Sequence, residues 1–149
     1  MRIKDQTGEN RSSLVARKEI LIRFSEVDIM GVVWHGNYIK FFEDGREAFG
    51  NTFDLDLVKI YRKEGVVTPV VKVTCDYKKS LGLGDVALVE TTLMQSAAAK
   101  IIFQYRIFNQ KNGDLMATGE TVQVFVKEGV LQIAVPDFFA EWKEKWLSA

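Results

Sequence analysis

Residues 24–50 read FSEVDIMGVVWHGNYIKFFEDGREAFG, and the second half of this stretch has the spacing of a helix. Tyr38, Phe41, Phe42, Gly45, Ala48 and Phe49 recur at the i, i+3, i+4, i+7 positions of one helical face. Lys40, Glu43, Asp44, Arg46 and Glu47 fill the opposite face. Asn37 is a favourable N-cap type, because its side-chain oxygen can accept a first-turn N–H. Gly50-Asn51 suits a C-terminal stop, so the expected helix runs from about Asn37 to Phe49. Gly45 is out of place on an apolar face, where glycine costs roughly 1 kcal/mol against alanine. Close packing against a strand is the expected reason.

The first half of the stretch holds a lone acid, Asp28, in a loop of apolar residues and glycine, followed by the single histidine, His35. The N-terminus of a helix offers free N–H groups and a partial positive charge, which can polarise a carbonyl. An acid beside it can attack that carbonyl or activate a water. Turn formation is the commonest role of a loop aspartate. The imidazole of His35 and its backbone N–H are separate candidates for chemistry. Glu26 with Asp28 suggests a metal pair, but a single histidine and no Cys/His cluster argue against a dedicated site. No metal and no cofactor are expected.

Beyond the helix the period changes to two. Val71, Val73, Cys75 and Tyr77 alternate with Lys72, Thr74, Asp76 and Lys78 as a half-buried strand, with Cys75 as inert core. Ser80 to Asp85 (SLGLGD) reads as a turn. Val86–Gln95, the alternation Ile101/Phe103/Tyr105/Ile107, and Leu115–Val126 follow as strands, with Asn112-Gly113 a tight turn. An earlier strand spans about Arg17 to Phe24. Pro136 opens a short amphipathic helix carrying Phe138, Phe139, Trp142 and Trp146. Strand, long helix, then four strands joined by turns is α+β: a five-stranded antiparallel sheet around one long central helix, plus a short C-terminal helix. Such a sheet leaves an edge open for a second copy.

At 149 residues the chain is most simply one domain, with 1–14 a flexible lead-in that lacks signal-peptide character. Twenty basic and twenty acidic residues give zero formal charge, so no global field favours nucleic acid or an anionic membrane. No apolar run is long enough to span a bilayer. The lone Cys75 forms no internal disulfide and fits a reducing cytoplasm.

Residues Arg23 to Arg46 resemble the 4-hydroxybenzoyl-CoA thioesterase family of hotdog-fold enzymes. Asp28, Gly31, Val32-Val33, Trp34, His35, Asn37-Tyr38 and Phe41-Phe42-Glu43 fall in the places of the family pattern, and Tyr77 with Gly84-Asp85 resembles its second landmark. Departures are Glu26-Val27 where Asp-Thr is common, Ile29 and Met30 where small residues are usual, and Ser80 for a frequent proline. The resemblance implies a hotdog fold and hydrolysis of an acyl-CoA thioester, or of an acyl carrier protein thioester, with CoA as part of the substrate. Asp28 would be nucleophile or general base. Backbone N–H groups of His35 and Gly36 would polarise the carbonyl, and Asn37 would fix the helix start. Ile29 and Met30 would shape the acyl pocket, Trp34 would also bind substrate, and Lys78 and Lys79, with Arg62 and Lys63, would meet the CoA phosphates. Glu43 could approach a pocket across a homodimer, and a dimer of dimers (a homotetramer) is the larger assembly implied. Two other classes remain: a non-catalytic acyl-CoA-binding module, and a hotdog hydratase or dehydratase.

Overall fold

The aromatic helical face demands a sheet to cover it, and the strands supply one. A computed structural model describes residues 2–4, 10–12 and 14–147. Arg2–Lys4 (β1) and Asn10–Ser12 (β2) pair antiparallel; residues 1, 5–9 and 13 of the expected lead-in lie outside the described residues. The elements that follow are β3 (Val15–Leu21), a 3₁₀ turn (Phe24–Glu26), α1 (Asn37–Phe53) and α2 (Leu57–Glu64). After them come β4 (Val66–Val67), β5 (Val70–Tyr77), β6 (Val86–Met94), β7 (Lys100–Asn109) and β8 (Leu115–Val124), then β9 (Val126–Lys127), β10 (Val130–Leu131) and α3 (Asp137–Leu147).

One five-stranded antiparallel sheet has the order β3-β6-β7-β8-β5. A smaller sheet has the order β10-β9-β4. Helix α1 lies on the large sheet, touching β3, β5, β6 and β7. Phe41, Phe42 and Phe49 are fully buried, as the helical spacing requires. Phe42 stacks on Tyr105 of β7 with centroids 4.4 Å apart, and Phe49 meets Phe103 edge-on at 4.9 Å. Inward residues of β7 alternate along the strand: Ile101, Phe103, Tyr105 and Ile107 are all buried. On β6 the carboxylate of Glu90 is held between Arg17 of β3 (3.2 Å) and Arg106 of β7 (2.9 Å), three strands tied by cross-strand ion pairs.

The helix approaches the sheet closely at two glycines. A Cβ on Gly45 would stand 2.3 Å from Thr91 Oγ1 and 3.0 Å from a Val89 methyl, so the glycine on the apolar face is a contact requirement. A Cβ on Gly119 of β8 would lie 2.3 Å from the Phe42 ring and 2.7 Å from the Thr74 carbonyl. Helix α3 closes one end of the core. Trp142 donates its indole N–H to the Phe53 carbonyl (2.8 Å), and Phe139 packs against Phe125 at 5.2 Å.

Four readings of the sequence are corrected. The four late strands are not all neighbours in chain order: β5 pairs with β8, so the SLGLGD segment, a turn as expected (Asp85 N–H to the Gly82 carbonyl, 3.1 Å), does not join paired strands. It is held instead by the Asp28 loop, with Val33 N–H donating to the Leu81 carbonyl (2.8 Å) and Leu83 N–H to that of Gly31 (3.3 Å). Strand β5 is exposed rather than half-buried, because it is the sheet edge and Cys75 is its one partly buried residue. Helix α1 runs three residues past Gly50, to a left-handed Asp54 (φ 54°). Gly50 is needed there for the close approach of Leu55, whose carbonyl would be 2.6 Å from a Cβ. Helix α2 was not foreseen. Its signals are Asp56, whose side chain accepts from Val58 N–H (3.0 Å) and Lys59 N–H (3.1 Å), and Gly65 at the end with φ 67°.

Gly45→Ala gains about 1 kcal/mol of helix propensity, yet overpacking of a filled core costs typically 1–3 kcal/mol. A net loss of stability is expected in urea denaturation. In a Thr91→Ala background, which removes the opposing hydroxyl, most of that loss disappears.

Candidate active site

The loop between β3 and α1 is a small closed structure. Val27 bridges Val33, Asp28 N–H donates to the Val32 carbonyl (2.8 Å), and Gly31 N–H to that of Asp28 (2.9 Å). Gly31 takes φ 77°, which permits so tight a turn. Oδ1 of Asp28 accepts from Met30 N–H (2.9 Å) and Val32 N–H (3.4 Å). One carboxylate oxygen therefore builds the turn. No other hydrogen bond reaches this carboxylate among the described residues, so Oδ2 has no protein donor among them. Ile29 and Met30 project from the loop into solvent.

The loop hangs from Glu26, which is buried. The Glu26 carboxylate accepts from Arg23 N–H (2.8 Å) and from the Arg23 guanidinium (3.4 Å). Its carbonyl accepts twice: from Trp34 N–H (2.9 Å) and from Asn37 Nδ2 (2.9 Å). Asn37 is therefore not the N-cap, contrary to the sequence reading. Gly36 occupies that position, with helical φ −65°, ψ −23° and no side-chain cap. The Asn37 side chain is drawn inward because the Glu26 carbonyl would otherwise lose one of its two buried donors. Asn37 still fixes the helix start, by a tether instead of a cap.

At the entrance to α1, Asn37 N–H donates to the Trp34 carbonyl (2.9 Å) and Tyr38 N–H to that of His35 (3.3 Å). The N–H groups of His35 and Gly36 donate to no protein acceptor among the described residues. They are the free donors of the helix end. The Trp34 indole lies over Gly36, within 2.1–2.8 Å of where a Cβ would be, so no side chain fits there. The His35 ring is exposed, tilted against Trp34 at 4.9 Å and edge-on to Tyr77 at 6.4 Å.

A cleft of about 260 Å³ is lined by Val33, His35, Tyr38, Tyr77, Lys78, Lys79 and Ser80. The structure thus brings His35 together with Lys78 and Lys79. Lys79 is committed to Asp114 at 3.0 Å. Arg62 and Lys63 lie apart from this cleft on α2, Lys63 in a groove with Trp142 and Trp146 and Arg62 in a hollow with Val126 and Gly129. Glu43 pairs with Arg46 and lines a groove that also takes in Gln123 of β8. Two residues of the cleft that spacing placed only on a helical face and a strand face carry hydrogen bonds there. Tyr38 accepts from Leu81 N–H through its hydroxyl (3.2 Å), and Tyr77 donates to the His35 carbonyl (2.8 Å). Burial, first, and then Cys75 push the Tyr77 phenol up to about 12, so it remains a donor at any ordinary pH.

A carboxylate and a helix N-terminus with unused N–H groups thus share one short segment, in a fold whose longest helix packs on a five-stranded antiparallel sheet. Residues 22–143 match the model of the thioesterase-like superfamily, and the chain belongs to that family. It is 34% identical over 129 residues to the "Putative acyl-CoA thioesterase YneP" of Bacillus subtilis, covering 86% of this chain and 92% of that one. A DHNA-CoA thioesterase structure from Staphylococcus aureus superposes with a TM-score of 0.77 at 31% identity, covering 87% of each chain. The 4-hydroxybenzoyl-CoA thioesterase of Pseudomonas sp. strain CBS-3 shares the fold, with a TM-score of 0.74 at 20% identity over 86% of this chain and 98% of that one. No described helix is long and apolar enough to cross a membrane.

The tether makes a prediction that a cap would not. Asn37→Ala should lose about 1–2 kcal/mol in chemical denaturation, the usual scale for a buried hydrogen bond with one partner removed. Asn37→Asp should cost more than Asn37→Ala, since it sets a carboxylate oxygen against the Glu26 carbonyl. At a true N-cap aspartate would replace asparagine with little loss.

Proposed function

We propose that the protein hydrolyses an acyl-CoA thioester to a carboxylic acid and CoA. The observation that carries this reading is the pair of unused N–H groups at His35 and Gly36, on the segment that also presents Asp28. In the proposed reaction the thioester oxygen lies against these N–H groups, and the carbonyl carbon faces Oδ2 of Asp28. Negative charge that develops on the oxygen meets donors already in place, worth about 3 kcal/mol of barrier for one such donor. Attack by the carboxylate expels the CoA thiolate and leaves an acyl anhydride, which water opens. Activation of a water by the same carboxylate gives the same products in one addition. The cleft at Lys78 supports a place for the carrier's phosphates, and the exposed Trp34, Ile29 and Met30 an apolar approach for the acyl group.

Asp28→Asn keeps shape and removes the charged oxygen. It should abolish most thiol release from acyl-CoA, in a screen of short, long and aromatic acyl groups, while circular dichroism stays unchanged. Retained wild-type turnover would falsify the role of Asp28. His35→Ala separates ring from backbone: any non-proline residue supplies the N–H, so a modest fall in kcat is expected, against about 10²-fold or more for an acid–base imidazole.

The working unit in this reading is a homodimer. Strand β5 supports it: an edge with Val71, Val73 and Tyr77 exposed and no partner strand on its outer side among the described residues. An open edge of this kind is a template for pairing. Sedimentation should find a dimer or dimer of dimers at micromolar concentration. A monomer that still releases CoA would count against it.

A further inference from the structure

The His35 carbonyl and the Gly36 N–H belong to one peptide group. The bond is trans, as is every peptide described, so whatever fixes the oxygen also aims the hydrogen in the opposite direction. This peptide has little else to hold it. Gly36 has no side chain and its backbone is intrinsically permissive. The helical bond to the same carbonyl, from Tyr38 N–H, is long at 3.3 Å. The short contact comes from elsewhere in the fold, where the Tyr77 hydroxyl of β5 donates to the His35 oxygen at 2.8 Å. The phenol itself is set by packing, with its ring edge-on to Tyr38 at 5.0 Å and to His35 at 6.4 Å.

We propose that Tyr77 is a positioning residue for the reaction, acting through the 35–36 peptide to aim and strengthen the Gly36 N–H that receives the thioester oxygen. The proposal rests on the reading of this helix end as the carbonyl-polarising site. Two effects follow from one hydrogen bond. The hydroxyl fixes the tilt of the peptide plane, so the opposite N–H does not have to reorganise as charge develops. It also draws electron density toward the carbonyl oxygen, and in a chain of hydrogen bonds each donor polarises the next. The Gly36 N–H becomes a better donor without any new contact to substrate. The phenol stays protonated throughout, because its pKa is pushed up to about 12. The geometry also explains why an edge-strand tyrosine reaches 42 residues back along the chain to a loop carbonyl.

Tyr77→Phe removes the hydroxyl and keeps the ring. Steady-state hydrolysis of butyryl-, palmitoyl- and benzoyl-CoA, followed by thiol release, should show kcat down about 5- to 20-fold on whichever is turned over, with KM within about twofold, since a donor that acts mainly in the transition state lowers kcat. In ¹H–¹⁵N spectra the Gly36 amide proton should move upfield, away from the shift of a polarised donor, while amides of the distant α3 stay fixed. A purely structural tyrosine would instead lower the melting temperature and leave kcat of the folded fraction and the Gly36 amide in place; that result overturns the proposal. So does a change confined to KM. An active wild type with an inactive Asp28→Asn and an unchanged Tyr77→Phe rejects this inference alone. A wild type that releases no thiol from any of the three substrates rejects the site reading and this inference with it.

Discussion

The burial of one helical face against one sheet face is the constraint from which the rest follows. Phe41, Phe42 and Phe49 leave water together, and each removes apolar area worth about 1.5–3 kcal/mol on burial. They are large, so the helix backbone can approach the strands closely at just a few points. Those points are Gly45 against Thr91 and Val89, and Gly119 beneath the Phe42 ring. Aromatic bulk and glycine gaps together set the helix at one height and one rotation over the sheet. A helix so fixed has an N-terminus at a defined place, and the unused N–H groups of His35 and Gly36 are held there with it.

Glu26 converts this fixed helix into a fixed loop. Its carboxylate is satisfied by Arg23, and its carbonyl receives the Trp34 N–H and the Asn37 amide. Three segments therefore meet at one buried residue: the exit of β3, the end of the Asp28 loop and the first residue of α1. From the other side, Leu81 and the Gly82–Leu83 backbone lie against the same loop. The loop between β5 and β6 is thus a wall of the site as well as a connection. Rigid supports on both flanks hold the loop tip, where Ile29 and Met30 face solvent and Asp28 is half-buried.

Much of this was legible in the sequence because it depends on local periods. The helical spacing of Tyr38 to Phe49 and the alternation in β6, β7 and β8 report which side of each element meets an apolar surface. Gly45 was legible as a close contact, since a glycine on a buried helical face has few other physical reasons. The Asp28 loop was legible through its motif and through the helix that follows it. The short α2 was missed although Leu57, Val58, Ile60 and Tyr61 fall at helical spacing between Asp56 and Gly65, because eight residues give little more than two turns of period. The half-buried reading of β5 failed because alternation shows which residues share a face, and an edge position decides whether anything covers that face.

The sequence by itself determined the types of the main strands and of α1 and α3, the aromatic face of α1, the α+β class and the candidate acid, since each is set by residues within one or two turns of each other. The tertiary structure decided what joins distant parts of the chain. It placed β5 beside β8 instead of β6, turned Asn37 from a cap into a tether, and brought the Tyr77 hydroxyl to the His35 carbonyl. The physical reason is the same in each case. A backbone carbonyl or a strand edge carries no sequence label, and its partner is chosen by which donors the packed core delivers to it.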